Sequence, residues 1–188
     1  MMTGDFMDLL KFFEVTNILK RLPRTGWLVK GIKDPESIAA HSFSTILMAL
    51  IFGFERKDID LQKLLIMAIL HDLGESYLGD LTPVSIELLG GNEIKKKLEK
   101  EAITKLFGLL DENKQKKLLD IYEQYINNET EEAKLLHQID KLEMLLQAVE
   151  YQKAGYPKEN LNEFWSTKEP ITDNTLVEIL AYLKGKYR

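Results

Sequence analysis

The sequence predicts an all-α fold, a bundle of about seven to nine helices in a single domain over residues 1–188. Apolar residues recur at intervals of three and four positions, as at Ile139, Leu142 and Leu146, and this spacing is typical of a half-buried helix. No long stretch alternates apolar and polar residues as a strand would. At 188 residues the chain is long enough to bury a continuous core without disulfides.

Capping residues and helix breakers place these helices in order along the chain. The predicted helices run from near Asp5 to Leu22, from Asp34-Pro35 through His41, from Asp60 to His71-Asp72, from Thr82-Pro83 to Gly90-Gly91, from Asn92 to Leu109, from Asp111 to about Asn128, from Thr130 to about Lys153, and from Asp173 to about Lys186. The segment GYPKENLNEFWSTKEP is the one long irregular connection, and its Phe164 and Trp165 are expected to pack in the core.

Composition limits the class of protein. Hydrophobic residues make up 45% and charged residues 29%, which indicates a soluble globular protein. Cysteine is absent, which excludes thiolate catalysis and leaves His, Asp and Glu as metal ligands. The sequence has no export signal and no run of eighteen apolar residues, so we expect a cytoplasmic protein without a membrane partner. The net charge is -5 and Lys alternates with Glu in EIKKKLEKEAITK, so nucleic-acid binding is not expected.

Four ionisable residues crowd into the stretch ILHDLGESYLGDLTP, residues 69–83. His71 and Asp72 end an apolar helical run, and neighbouring side chains on a helix point about 100° apart. The pair therefore suits neither a single buried face nor an i,i+4 surface pair. Considered separately, it is most simply a packed histidine beside a helix-terminal acid, so a metal site requires further ligands.

Two further residues supply such ligands from distant helices. His41 lies in the second turn of its predicted helix, with a largely apolar stretch after it, and Asp140 lies in an apolar stretch where burial of an unpaired carboxylate is costly. Each residue by itself is also compatible with a structural role. Together with His71 and Asp72 they predict one divalent cation, because two imidazoles and two carboxylates suit Mn, Fe, Co, Ni or Zn. Such a ligand set leaves positions open for water and substrate.

Glu75 and Asp80 follow the His-Asp pair closely. Glu75 lies four residues after His71, so its carboxylate overhangs the same face if the helix continues for another turn. There it could orient or deprotonate a water, or protonate a leaving group. Asp80 follows Gly79, where a turn could direct it back across the site, although an ordinary turn acid is an equally good interpretation.

The order and spacing of the first histidine, the His-Asp pair and the later aspartate resemble the HD superfamily of metal-dependent phosphohydrolases. The segments LKRLPRTGW, PESIAAHSFSTILMA, AILHDLGESYLGDLTP and QIDKLEMLLQAVEY are more narrowly similar to its 5'-deoxynucleotidase branch. The similarity spans a motif-bearing core of about residues 19–151, followed by a C-terminal loop and helix at 152–188. It implies an HD-type helical bundle, one divalent cation, and hydrolysis of deoxyribonucleoside 5'-monophosphates to nucleoside and phosphate, often by a homodimer.

The resemblance also implies roles for individual residues. The implied metal ligands are His41, His71, Asp72 and Asp140. The implied catalytic residues are Glu75 and Asp80. For the substrate, the resemblance implies that Asp80 contacts the sugar and that Arg24, together with Trp27, lies at the phosphate. Arg21 is the alternative phosphate ligand, because two residues separate Arg24 from Trp27 whereas the family's arginine directly precedes its tryptophan. The family commonly has an acid before the first histidine, where this chain has Ala40, which leaves the substrate range open. The identity of the cation stays open among Co, Mn, Fe, Ni, Zn and Mg.

Other functions fit the same scaffold. A binuclear phosphodiesterase would use extra histidines between the His-Asp pair and Asp140, where the chain offers His137. A nucleoside triphosphohydrolase would need several basic residues, and the loops near the motif offer Arg24, Lys30 and Lys33. A non-catalytic nucleotide-sensing or interaction module is a third alternative, although a purely structural metal site would need no acid such as Glu75 above it.

Overall fold

The computed structural model describes residues 3–166 and 170–188, and these residues form an array of packed helices. Eight of the α-helices in these two ranges have seven residues or more, which agrees with the predicted all-α bundle. The α-helices are α1 (Thr3–Thr16), α2 (Thr25–Val29), α3 (Ile38–Gly53), α4 (Leu61–Leu70), α5 (Glu75–Leu78), α6 (Pro83–Leu89), α7 (Asn92–Phe107), α8 (Glu112–Ile126), α9 (Glu131–Lys153), α10 (Lys158–Leu161) and α11 (Asn174–Tyr187). No helix in the described ranges is both long and apolar enough to cross a membrane.

The core lies where α3, α4 and α9 pack against one another. Helix α9 has 23 residues and presents its apolar stripe to both partners, with Leu136, Ile139 and Leu142 fully buried. Complete burial of one such side chain contributes about 1.5–3 kcal/mol. Trp165 is buried in this cluster and Phe164 packs against it, as predicted. The three helices that the sequence selected as carriers of histidine and aspartate therefore form the interior of the molecule.

Five of the predicted helix starts are confirmed by their caps. The side chains of Asp60, Thr82, Asp111, Thr130 and Asp173 each accept a hydrogen bond from a backbone N–H of the first helical turn. Such a bond satisfies one of the N–H groups that a helix start leaves without a partner, and contributes about 1 kcal/mol. Helix α6 also ends at a glycine in the left-handed region, as the Gly-Gly pair predicted.

The predicted start of α3 at Asp34-Pro35 is wrong. Ser37 is the cap, and its hydroxyl accepts a hydrogen bond from the backbone N–H of Ala40. The chain before it is extended, because Ser37 pairs with Pro23 in an isolated antiparallel bridge. A contact with a distant segment thus prevents the Asp-Pro signal from opening the helix.

The short helices were not predicted. Helix α1 ends at Thr16 and is followed by a 3-10 helix over Asn17–Lys20, earlier than the predicted end at Leu22. Helices α2 and α5 have five and four residues, too few to show a helical period in the sequence. The connection predicted as irregular contains α10 and a 3-10 helix over Asn162–Trp165. Residues 167–169 of that connection lie outside the described residues.

Candidate active site

Three core helices bring two histidines and an aspartate to one point. His41 comes from α3, His71 directly follows α4, and Asp140 comes from α9; one ligand atom from each lies within 4.8 Å of the others. The Nε2 atoms of the two histidines are 3.4 Å apart. His41 Nε2 also lies 3.0 Å from Oδ1 of Asp140. The helix packing therefore assembles three of the four predicted metal ligands around a common centre.

Asp72 is the fourth residue of this group. Its Oδ2 atom is 3.3 Å from Nε2 of His71 and 3.6 Å from Nε2 of His41. Helix α4 ends at Leu70, and the chain turns there, so that neighbouring side chains can face the same point. Asp140 keeps 31% of its side chain exposed because it faces a cavity, so its carboxylate is less buried than the sequence suggested.

The charges in this cluster depend strongly on one another. Burial opposes charge on His41, but the hydrogen bonds that its ring donates to Asp140 and Glu143 outweigh burial and raise the pKa of His41 to about 10. Burial likewise opposes charge on Asp72, yet His71 and Arg24 hold the pKa of Asp72 well below its usual range. Two imidazoles and two carboxylates that face one point form a donor set that suits a divalent transition metal. The four residues therefore fit the cation that the sequence implied.

Glu75 begins the one-turn helix α5 beside this cluster. Helix α4 does not persist for the further turn that would place Glu75 over the same face, and the turn after Leu70 carries Glu75 into the cavity wall instead. Its buried Oε2 atom has no hydrogen-bond partner among the described residues. Burial and the neighbouring Asp72 carboxylate raise the pKa of Glu75 to about 9. In this state Glu75 is protonated at neutral pH and can donate a proton.

Arg24 and Asp80 come from short segments that line the same cavity. Nη1 of Arg24 donates a hydrogen bond to Oδ2 of Asp72 over 3.3 Å. Oδ2 of Asp80 accepts hydrogen bonds from the backbone N–H groups of Thr25 and Gly26, at the start of α2. Asp80 therefore fixes the helix that directly follows Arg24. Arg21, the alternative phosphate ligand, is exposed and does not line the cavity.

These residues line one cavity of about 1240 Å³. Its wall includes Arg24, His71, Asp72, Glu75, Asp80 and Asp140, together with Lys30, Lys95 and Lys96. Trp27 also lines it, although only 2% of this residue is exposed. The indole N–H of Trp27 donates to Oε1 of Glu36 over 3.0 Å, and its ring packs 4.2 Å from the ring of Phe164. Trp27 thus contributes a packed wall to the cavity.

Known proteins are similar to this chain in both sequence and architecture. A family model of the HD domain matches residues 16–180. The chain belongs to the HD-domain family. It is 38% identical over 181 residues to the 5'-deoxynucleotidase HDDC2 of Dictyostelium discoideum, across 92% of this chain and 94% of that protein. It is 31% identical to the human 5'-deoxynucleotidase HDDC2, across 95% of this chain and 86% of that protein.

The architecture also agrees with that of a solved structure. A conserved hypothetical protein from Pyrococcus furiosus superimposes with a TM-score of 0.79 at 32% identity, over 94% of this chain and 99% of that chain. The resemblance drawn from the sequence, to the HD superfamily and its 5'-deoxynucleotidase branch, is thereby confirmed. The all-α fold is confirmed as well.

Sequence reasoning missed two acids of this HD-domain site. Glu143 is buried and places Oε2 2.6 Å from Nδ1 of His41. A signal for it exists, because Glu143 lies four residues after Ile139 and seven after Leu136, on the buried stripe of α9. Glu36 forms a second group with His41 and Glu143 whose ligand atoms lie within 4.8 Å. It precedes α3 in an extended segment and had no periodic signal.

Two further residues weighed in the sequence, one a departure from the family pattern and one a possible extra ligand, have clear positions. Ala40, where the family commonly has an acid, lies exposed on α3 and does not line the cavity. The possible extra ligand His137 lines the cavity, and its Nε2 atom lies 3.1 Å from the backbone oxygen of Tyr125. Its ring also stacks on the ring of Tyr125 at 4.4 Å.

Proposed function

We propose that the protein is a 5'-deoxynucleotidase, which hydrolyses deoxyribonucleoside 5'-monophosphates to the nucleoside and inorganic phosphate. The observation that carries the proposal is the contact of Arg24 with Asp72. It holds a cationic, phosphate-binding group against the cluster of His41, His71, Asp72 and Asp140, with Glu75 in the same cavity. The names of the relatives HDDC2 from Dictyostelium discoideum and human support the same activity.

The chemistry requires a strong nucleophile and charge compensation, because uncatalysed phosphate monoester hydrolysis is extremely slow. We propose His41, His71, Asp72 and Asp140 as ligands of one divalent cation. Such a cation supplies a water acidic enough to lose a proton near neutral pH, and it offsets charge on a phosphoryl oxygen. Its identity among Co, Mn, Fe, Ni, Zn and Mg is a matter for metal analysis.

Arg24 and Glu75 act on opposite ends of the reacting bond. The Arg24 guanidinium offsets charge on the phosphoryl oxygens, for which its planar fork of N–H donors is well suited. Glu75 protonates the sugar oxygen that leaves phosphorus, and its buried, raised-pKa carboxyl supports this role. A purely structural metal site would have no use for such an acid beside it.

Asp80 and Trp27 define the sugar end of the cavity. Asp80 accepts a hydrogen bond from the sugar 3'-hydroxyl, and the close wall formed by Trp27 restricts space for a ribose 2'-hydroxyl. This assignment is supported by the position of Asp80 on the first N–H groups of α2, which keeps its carboxylate at the cavity edge. Selectivity for deoxyribose then depends on a small number of contacts.

The rival activities receive less support. A binuclear phosphodiesterase would require His137 as a ligand, and its Nε2 atom is directed to the backbone oxygen of Tyr125. A triphosphohydrolase would use more basic residues, and the cavity does contain Lys30, Lys95 and Lys96. Lys30 pairs with Glu163 and Lys95 pairs with Glu99, so part of this charge is already compensated.

The domain organisation and the oligomeric state are also proposals. We propose that residues 1–188 act as one HD domain and that two copies form a homodimer, on the resemblance to the 5'-deoxynucleotidase branch. Sedimentation equilibrium at several protein concentrations measures the mass in solution. A mass of one chain at every concentration contradicts the homodimer.

Phosphate release from a nucleotide panel tests the activity. Metal-free protein is supplied separately with Mn²⁺, Co²⁺, Zn²⁺ and Mg²⁺, and is given deoxyribonucleoside and ribonucleoside 5'-monophosphates, deoxynucleoside triphosphates and a phosphodiester. We expect metal-dependent release of inorganic phosphate, fastest from the deoxyribonucleoside monophosphates. Triphosphate release or diester cleavage would support a rival enzyme. Nucleotide binding with no turnover for any compound would support the sensing module.

A further inference from the structure

His41 carries a carboxylate on each of its two ring nitrogens. On the cavity side, Nε2 lies 3.0 Å from Asp140 and 3.6 Å from Asp72. On the core side, Nδ1 lies 2.6 Å from Oε2 of Glu143. His41 itself has no exposed surface. The two carboxylate contacts of this ring therefore face different environments, one the proposed cation site and the other the packed interior.

Glu143 is buried in the core, on the side of His41 that faces away from the cavity. Only 4% of its side chain is exposed, and it does not line the cavity. It lies on α9 between Leu142 and Leu145, both fully buried in the core. A carboxylate in such a position is costly unless a charged or hydrogen-bonding partner compensates it. His41, 102 positions away in the chain, is such a partner.

The contact decides which nitrogen of His41 carries the hydrogen. An ionised carboxylate can only accept hydrogen bonds, so Nδ1 must donate to Glu143. When a divalent cation takes the place of the proton on Nε2, the lone pair of that atom is available to the cation on the side of His71 and Asp140. We infer that Glu143 is a positioning residue, which holds His41 as an Nε2 metal ligand without touching either cation or substrate. This role rests on the proposed metal site.

His71 shows the same principle with a different partner. Its Nδ1 atom lies 2.8 Å from the backbone oxygen of Ala68, three residues earlier in the chain. That acceptor is a neutral carbonyl supplied by the helix that precedes His71. The acceptor for His41 is a charged side chain on another helix, so it adds negative charge and makes the ring a stronger donor. A single substitution at Glu143 can therefore remove the group that orients His41, whereas the backbone acceptor of His71 cannot be removed in this way.

The test compares two buried acids of α9. Glu143→Gln keeps the shape of the side chain and an acceptor oxygen but removes the charge, whereas Glu143→Ala removes the acceptor as well. Glu132→Gln is the matched control, because Glu132 is also buried on α9 and bonds the backbone N–H of Asp60, remote from His41 in the chain. Metal-free protein is titrated with Co²⁺ by calorimetry, and its visible absorption spectrum and melting temperature are recorded.

We expect Glu143→Gln to weaken Co²⁺ affinity by about 10–100-fold and to change the Co²⁺ spectrum, and Glu143→Ala to weaken it further. Saturating Co²⁺ should restore most of the phosphate release of Glu143→Gln with KM unchanged. Glu132→Gln should keep the wild-type affinity and spectrum. If Glu143→Gln lowers the melting temperature but binds Co²⁺ like the wild type, Glu143 is merely structural and the inference is wrong.

The outcomes also separate this inference from the proposed activity. A wild-type protein that binds no divalent cation overturns both the metal site and the role of Glu143. A wild-type protein that binds Co²⁺ through His41, with the predicted loss in Glu143→Gln but no phosphate release from any nucleotide, supports the positioning role and overturns the 5'-deoxynucleotidase.

Discussion

The two sides of the cavity are built in different ways. The proposed metal wall, which comprises His41, His71, Asp72 and Asp140, is carried by α3, by α9 and by the turn directly after α4. These helices form the core of the molecule. The proposed substrate rim, which comprises Arg24, Trp27 and Asp80, is carried by the five-residue helix α2, by the residue before it and by the connection between α5 and α6.

The two sides differ in how firmly they hold their side chains and in how readily they can change. Metal coordination tolerates little displacement, and long helices locked by core packing hold side chains more precisely than loops do. The rim depends on a few hydrogen bonds, such as those from Thr25 and Gly26 to Asp80. Loops and short helices vary more readily without loss of the fold. We therefore expect substitutions in the metal wall to abolish chemistry and substitutions in the rim to change substrate use.

The largest effect is expected at the metal wall. Alanine at His71 or Asp72 removes a proposed ligand, so bound metal and phosphate release should both fall, the latter by about 10³-fold or more. Elemental analysis of the purified variants and a phosphate assay measure the two losses. Full activity in either variant would contradict the assignment of the metal site.

A smaller effect is expected for the arginine of the rim. Arg24→Ala should lower kcat/KM by about 10²-fold through lost compensation of phosphoryl charge, while the metal content stays at the wild-type level. Arg21→Ala is the control, because Arg21 is exposed and does not line the cavity. Steady-state kinetics measure both variants. The assignment is reversed if Arg21→Ala loses activity and Arg24→Ala does not.

Asp80 should affect substrate choice more than chemistry. Asp80→Asn keeps an acceptor for the N–H groups of α2 but removes the charge that would receive the sugar 3'-hydroxyl. We expect kcat/KM for a deoxyribonucleoside monophosphate to fall about tenfold, with a much smaller loss for the matching 2',3'-dideoxyribonucleoside monophosphate, which has no 3'-hydroxyl to donate. The ratio of the two kcat/KM values measures this. Equal losses on both substrates would mean that Asp80 only supports α2.

The smallest effect is expected where the two regions meet, at Glu36, which accepts the indole N–H of Trp27. Burial and the nearby Glu143 raise the pKa of Glu36 to about 6, from an ordinary value of 4.5. The folded state therefore binds a proton more tightly than the unfolded state. This contribution to stability is present below pH 4.5 and is lost as the pH rises through 6.

Glu36→Gln should remove this dependence. The stability of the variant relative to the wild type should rise by about 1 kcal/mol between pH 4.5 and pH 7, with allowance for the partial exposure of Glu36. Urea unfolding at several pH values measures the difference. A difference that stays constant over this range would show that Glu36 has an ordinary pKa in the folded protein.

Sequence reasoning succeeded where the decisive interactions are local. The caps at Asp60, Thr82 and Thr130 were identified because a cap bonds to residues only three positions away. It failed at Asp34-Pro35, where the bridge between Pro23 and Ser37 holds the chain extended. It also failed to find α2, whose first N–H groups bond to a carboxylate 55 residues away.

The candidate site shows the same division between local and distant contacts. The sequence by itself determined the helices and the histidines and aspartates they carry, because helix periodicity and capping act over a few residues. The meeting of His41, His71 and Asp140 was proposed from the sequence, but the tertiary structure is what brings them together, and only the tertiary structure showed that Glu143 lies against His41. Contacts between residues 30 and 102 positions apart depend on how whole helices pack, and no local pattern encodes that packing.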